Sequence, residues 1–278
     1  MATKKSSSRP DIATLGGLLL AAGSIMGGLV IEGGKLTDVA QVTALMIVLG
    51  GTLGAVMVTT PLKTLVRAVK YLGNVFFEKE EDPQQVIEEI IGYAIKARKN
   101  SIISLDSELD TIADPFLRKA ISLSVDGTDL QELRAMMELD LALRHRSGEA
   151  IAKVYESAGG YAPTIGIIGA VLGLIQVMKH LENIEEVGRG IAVAFVATVY
   201  GVASANLFFL PAANKIKARL RDNLHVKELM LEGVCSIVEG LNPKLIRVKL
   251  EAFAEGETSA PAKARSPGRT ARAAAAEG

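Results

Sequence analysis

The stretch "GGYAPTIGIIGAVLGL", residues 159–174, holds no charged side chain and is rich in glycine, alanine and branched aliphatics. It lies in a longer window, Ala158–Met178, that lacks Asp, Glu, Lys, Arg and His, and three more such windows are Ile12–Ile31, Val39–Leu62 and Ile191–Asn214. The shortest has 20 residues, enough for a helix to cross a hydrocarbon core of about 30 Å. Four such windows in one chain predict membrane spans rather than four buried helices of a water-soluble protein. The composition agrees: 49% of the 278 residues are hydrophobic and 22% are charged, with a mean hydropathy of +0.29. Apolar spans separated by charged segments produce that mixture.

Three cations, Lys4, Lys5 and Arg9, precede the first window, as in a signal peptide. Its apolar run is too long for a signal sequence and leads through "EGGKLTD" into another span, so it reads as an anchor. Lys and Arg set the orientation: residues 1–11 carry three, 63–157 thirteen and 215–278 twelve, against only Lys35 in 32–38 and Lys179 and Arg189 in 179–190. By the positive-inside rule both termini and the middle segment are expected in the cytoplasm, with two short loops outside.

The expected fold class is thus an all-α integral membrane protein, with four transmembrane helices and a helical cytoplasmic domain between spans two and three. The expected segments are a cytoplasmic N-terminus (1–11), spans one and two (12–62), a cytoplasmic helical domain (63–157), spans three and four (158–214), a C-terminal helical region (215–253) and a disordered, low-complexity tail (254–278). In the middle segment Val86, Ile87, Ile90, Ile91, Ala94 and Ile95 recur at helical spacing. A turn at Asp126-Gly127 and an N-cap at Asp129 precede a long amphipathic helix that runs to the membrane.

No metal cluster, nucleophilic triad or phosphate loop stands out, so neither an enzyme nor a resident cofactor or metal is expected. Zero net charge gives no sign of nucleic-acid binding. Cys235 reads as a small buried residue, and His145, His180 and His225 as solvated surface. The pairs Gly50/Gly54 and Gly169/Gly173 lie one turn apart and read as sites of close helix approach. The polar atoms inside the spans are hydroxyls and amides, on Thr43, Thr52, Thr198, Tyr200, Ser204 and Asn206. An ion path needs an ionisable group in the membrane; either the chain conducts nothing or a partner supplies the carboxylate.

Ala170 lies eight residues before Met178 and Thr198 seven after Ile191. In antiparallel spans both fall roughly 10–12 Å from the outer boundary, in one layer. A lone threonine more often bonds its own backbone. Pro163 and Pro211 sit at the cytoplasmic ends of spans three and four. Pro163 suits the first turn of a helix, whereas Pro211 would cost the bond to the Leu207 carbonyl and kink the chain. Kinks at both joins make hinges.

"AGGYAPTIGIIGAVLGLIQVMKHLE" followed by "GIAVAFVATVYGVASANLFFLPAANKIK" resembles the MotA/PomA family of flagellar motor stator subunits, within the wider MotA/TolQ/ExbB superfamily. With "EGG" after span one and "LGGTLGAVMV" in span two, the resemblance covers residues 12 to 250. It implies a ring of these subunits around a MotB-like pair, whose single membrane helix carries the ion-binding aspartate. It implies that Pro163 and Pro211 couple ion passage to movement of the cytoplasmic domain. "RKNSIISLD" resembles the family's rotor-facing stretch, making Arg98 and Asp106 the expected contacts to the rotor protein FliG; Asp106 stands where glutamate is usual. Taken alone, both residues read as solvated surface.

Sodium-driven members of the family carry threonine in both spans at the depth of Ala170 and Thr198. With Ala170 in place of one, the resemblance points to proton drive. Two other readings compete with a proton-conducting stator: a TolQ/ExbB-like energiser of envelope processes, whose relatives usually have three spans, and a membrane scaffold that conducts nothing.

Overall fold

The computed structural model describes residues 9–78 and 82–255; most of the tail expected to be disordered, along with Lys4 and Lys5, lies outside them. Among the described residues eight α-helical segments of ten residues or more carry the fold: α1 (Ile12–Ile31), α2 (Val42–Thr59), α3 (Leu62–Tyr71), α4 (Pro83–Asn100), α5 (Pro115–Val125), α6 (Leu130–Lys179), α7 (Ile184–Val238) and α8 (Pro243–Glu255). One antiparallel pair of two-residue strands, Arg9–Pro10 with Phe77–Glu78, is the sheet among the described residues. The protein is all-α, and α1, α2, α6 and α7 are long and apolar enough to cross a membrane.

The helix ends follow from local sequence. Asp11 caps α1, its side chain accepting from Thr14 N at 3.0 Å. Asp114 caps α5 by accepting from Phe116 N and Leu117 N, with Pro115 in the first position, where no donor is lost. After α5, Asp126 and Gly127 make the expected turn, Gly127 at φ +78°. The helix α6 then begins directly after Asp129 and runs unbroken for 50 residues. The helix α7 is likewise continuous from the fourth span into the C-terminal region, ending before Gly240 at φ +74°.

Packing divides the chain into two units that cut across the expected membrane and cytoplasmic segments: residues 1–82 with 131–228, and 83–130 with 229–278. Residues 63–82 and 131–157 therefore belong with the spans, because α6 carries the third span's packing on into its polar half.

In the first unit, α1 buries nothing over its span, and Leu19 and Leu20 stay more than 70% exposed. Its buried clusters are small: Ala44 and Val48 with Val196 and Ala197, and Val56 and Ala68 with Ile151–Ala158 and Ala212–Ile216. The second unit buries larger side chains, among them Ile87, Ile90, Leu105, Phe116, Leu117 and Leu250. Val86, Ile87, Ile90, Ile91 and Ala94 form the buried face of α4, while Ile95, the last of the pattern, is 44% exposed. Cys235 is buried, as its reading as a small core residue expects. His145 and His180 are exposed as expected, but His225 is half-buried: it lies between buried Leu224 and Val226 on α7, so its surroundings exclude solvent.

Candidate functional site

Spans three and four meet backbone to backbone. A Cβ on Gly173 would lie 2.8 Å from Ala194 N and from Gly190 O, and one on Gly166 would lie 2.9 Å from Ala197 O. From the other side, a Cβ on Gly201 would lie 2.6 Å from Ala162 O. No side chain fits at these positions, which is how small residues let helices associate in lipid. Gly169 and Gly173 thus do what their spacing predicts. Gly50 and Gly54 do not: a Cβ on either meets nothing within 4 Å, and it is Gly51, one step round α2, that faces Ile165 at 2.7 Å. Spacing alone finds a glycine face but not which way the helix is turned.

Gly169 faces Ala197, its would-be Cβ 2.8 Å from the alanine methyl, so the next residues, Ala170 and Thr198, fall at one level of the span pair. Both are half-buried. The Thr198 hydroxyl donates to Ala194 O at 3.2 Å, a bond to its own helix that leaves both lone pairs of the oxygen as acceptors. Tyr200 is used structurally: its hydroxyl donates to Val39 O and accepts from Gln41 N at 3.3 Å, tying span four to the start of span two. The Thr52 hydroxyl is buried without a partner.

Pro163 lies inside α6, not in its first turn, because the helix begins 33 residues earlier at Leu130. It therefore leaves the Gly159 carbonyl without its helical donor. Gly159 is also where α7 crosses: a Cβ there would lie 2.5 Å from the Leu210 side chain. Leu210 directly precedes Pro211, so the two prolines come to the same join of α6 and α7. Pro211 is exposed and follows a π-helical turn over Ser204–Phe209. Its ring would collide with the Leu207 carbonyl in a regular α-turn, and the wider turn falls at that place. A second π-turn, Met46–Gly50, interrupts α2.

Around this join lies a set of charges that sequence reasoning did not single out. The nearly buried Asp11 carboxylate is 2.5 Å from Lys215 Nζ and accepts from Arg219 Nη2 at 2.7 Å. Burial pushes the Asp11 carboxyl up, but hydrogen bonds from Lys215 and Thr14 outweigh it and hold the group well below the usual carboxylate range. Lys217 meets Glu156 at 2.6 Å, and that hydrogen bond lowers the Glu156 carboxyl. The readable signal was a carboxylate directly before an apolar span; its partners lie more than 200 residues away in sequence.

In the second unit, Arg98 stands in the last turn of α4 and Asp106 in the 3₁₀ segment Ile102–Thr111; both are exposed. Neither has an ion pair among the described residues, whereas Lys96 and Glu108 pair with each other and Arg247 clasps Glu88 at 2.5 and 2.8 Å. Ser101, which turns the chain from one to the other, has φ +71° and ψ 158°, a region glycine favours. Among the described residues no group of three or more His, Cys, Asp or Glu could hold a metal ion.

The chain has counterparts among known proteins. Residues 108–229 match the model of the MotA/TolQ/ExbB proton channel family, and residues 15–99 that of the motility protein A N-terminal region. Motility protein A of Bacillus subtilis (strain 168) is 34% identical over 244 residues, 86% of this chain and 89% of that protein. The solved structure of C. jejuni MotAB superposes with a TM-score of 0.83 at 32% identity, covering 87% of this chain and 95% of that one. The B. subtilis flagellar MotAB stator complex gives 0.81 at 32% identity, covering 89% and 98%. The chain belongs to the MotA/TolQ/ExbB proton channel family, a family of membrane ion channels rather than of enzymes.

Proposed function

We infer that this chain is the multi-pass subunit of a flagellar motor stator, forming with a MotB-like partner a proton channel that turns ion flow into torque on the rotor. The observation that carries this reading is a span core closed by glycine against backbone that holds no charged side chain. A proton relay needs a titratable group at membrane depth, and a partner helix with an aspartate supplies it. The matched relatives are MotAB complexes, which supports both that partner and a ring of copies. The match to the motility protein A N-terminal model over 15–99 favours a stator over a TolQ/ExbB-like energiser.

In this reading the protein lies in the inner membrane with both termini in the cytoplasm, and does no catalysis. Thr198 and Ala170 flank the ion path. Ala170 supplies no oxygen to a hard cation that must replace lost water ligands, and a proton carried on a carboxylate needs none, so the driving ion is the proton. Pro163 and Pro211, brought to one join, transmit the movement, and the unmatched charges of Arg98 and Asp106 meet the rotor protein FliG. The test is rotation of a deletion strain complemented with this gene. Rotation should stop with a proton uncoupler and persist in sodium-free medium, and reversal of Arg98 or Asp106 should lower torque while assembly persists. Rotation that needs added sodium overturns proton drive; normal torque with both charges reversed overturns the rotor contact.

A further inference from the structure

After α2 ends at Thr59, Thr60 and Pro61 are extended, and α3 begins at Leu62. The chain then returns to the start of the first span, where Phe77–Glu78 pairs with Arg9–Pro10. The helix α3 therefore travels along one membrane boundary, from the end of span two to the beginning of span one. Leu65 and Ala68 turn inward onto a cluster with Ile151 and Tyr155, and the Tyr155 hydroxyl donates to Ala68 O at 2.8 Å. Next round the helix come the exposed Leu62, Val66 and Val69, and then the exposed Lys63, Arg67 and Lys70. An apolar stripe bordered by cations marks a helix lying in an interface.

Between α3 and α6 opens a cleft of about 270 Å³, lined chiefly by Thr64, Arg67, Leu143, Arg146, Ser147 and Ile151, with no carboxylate in its wall. Ile151 shares a buried cluster with Val56 of the second span, so the cleft lies close to the membrane boundary. Two arginines line one space. Arg144, two residues before Arg146, is matched by Asp140 at 2.6 Å, yet Arg67 and Arg146 have no ion pair among the described residues. Two unmatched cations repel each other, and an anion between them relieves that repulsion. Arginine's planar fork suits phosphate in particular.

We propose that this cleft binds the phosphate headgroup of an anionic phospholipid. Arg67 and Arg146 hold the phosphate and the hydroxyls of Thr64 and Ser147 border it. The Leu62–Val66–Val69 stripe of α3 lies towards the acyl chains. Lipid bound there braces α3 against α6 below the proline join. The proposal rests on the membrane placement given under the proposed function, but its test reads lipid retention rather than ion flow or rotation, so the two can fail separately.

The test is native mass spectrometry of the complex with its MotB-like partner, supplied with phosphatidylglycerol or phosphatidylcholine of equal chain length. Phosphatidylglycerol should bind about tenfold more tightly, and the preference should fall with added salt. It should vanish in the Arg67→Gln/Arg146→Gln double variant and in Ser147→Glu, and persist in Arg221→Gln, whose side chain is exposed beside Asp222. Should the double variant fail to assemble, Ser147→Glu decides, since it places a carboxylate in the cleft and removes neither arginine. Equal retention of the two lipids, or a preference that survives Ser147→Glu, overturns the site. So does a preference removed by Lys63→Gln/Lys70→Gln but not by the arginine pair, which would make it diffuse surface charge. Displacement of the lipid by millimolar inorganic phosphate would overturn a phospholipid as the ligand.

Discussion

The span unit and the unit of residues 83–130 and 229–278 handle apolar surface in opposite ways. In the first, large apolar side chains such as Ile167, Leu172 and Phe195 point outward and stay about half exposed or more, while glycine and alanine line the helix contacts. In the second, Phe116, Leu117 and Ile90 are fully buried and the outer face carries pairs such as Arg247–Glu88. The difference is one of solvent. In a bilayer an exposed leucine costs nothing, so stability comes from close backbone approach and dispersion; in water the same leucine must go inside.

The sharpest way to break that comparison is to add volume inside the span unit, at a glycine that touches backbone and at one that does not. Gly201→Leu should leave no folded subunit, because a Cβ there would lie 2.6 Å from the Ala162 carbonyl oxygen, which cannot move aside. Gly54→Ala, with open space around it, should fold as the parent does; a detergent thermal melt and folded yield separate the two. If both variants fold equally well, the close backbone contact is wrong.

Removing volume should hurt the second unit next. Phe116 is 1% exposed, and Phe116→Ala should cost about 3–4 kcal/mol through lost burial and a cavity. A melting temperature within a degree of the parent's would contradict a water-type core there.

The ion pairs at the proline join come third. Asp11→Asn should cost about 2 kcal/mol, since it leaves Lys215 and Arg219 facing a neutral group while both retain some solvent. The carboxyl of Asp11 lies below its ordinary 3.8 in the folded protein. Its contribution is therefore complete above that value and is lost as the pH falls through the lowered one. The gap in melting temperature between parent and Asp11→Asn should be full at pH 6 and begin to close below pH 4; a gap that widens with acid refutes the pairing.

The smallest effect has the opposite sign. Ser101 holds a backbone conformation that costs a non-glycine residue about 1–3 kcal/mol, so Ser101→Gly should stabilise the second unit by about 1 kcal/mol, partly offset by the flexibility glycine adds to the unfolded chain. Chemical denaturation of the assembled complex measures it, and a loss of stability would show that the turn is not strained.

Legibility differed in the same way between the two regions. The four charge-free windows and the turn at Gly127 depend on neighbours a few residues apart, and local chemistry settles them. The face of α4 was readable for the same reason, through the spacing of Val86 to Ala94. Which of Gly50, Gly51 and Gly54 touches another helix was not readable, because a membrane helix is apolar all round and has no amphipathic signal to set its rotation.

By itself, then, the sequence determined that this chain is helical, where it is apolar enough to cross a membrane, and that its spans hold no charged group. Those are properties of composition and short-range spacing. Only the tertiary structure decided that Asp11 would meet Lys215 and Arg219, that Gly159 would seat Leu210 so that the two prolines share one join, and that Arg67 and Arg146 would face one cleft. Each pairing spans from about 50 to over 200 residues of chain, and nothing in local spacing chooses among the many partners that distance allows.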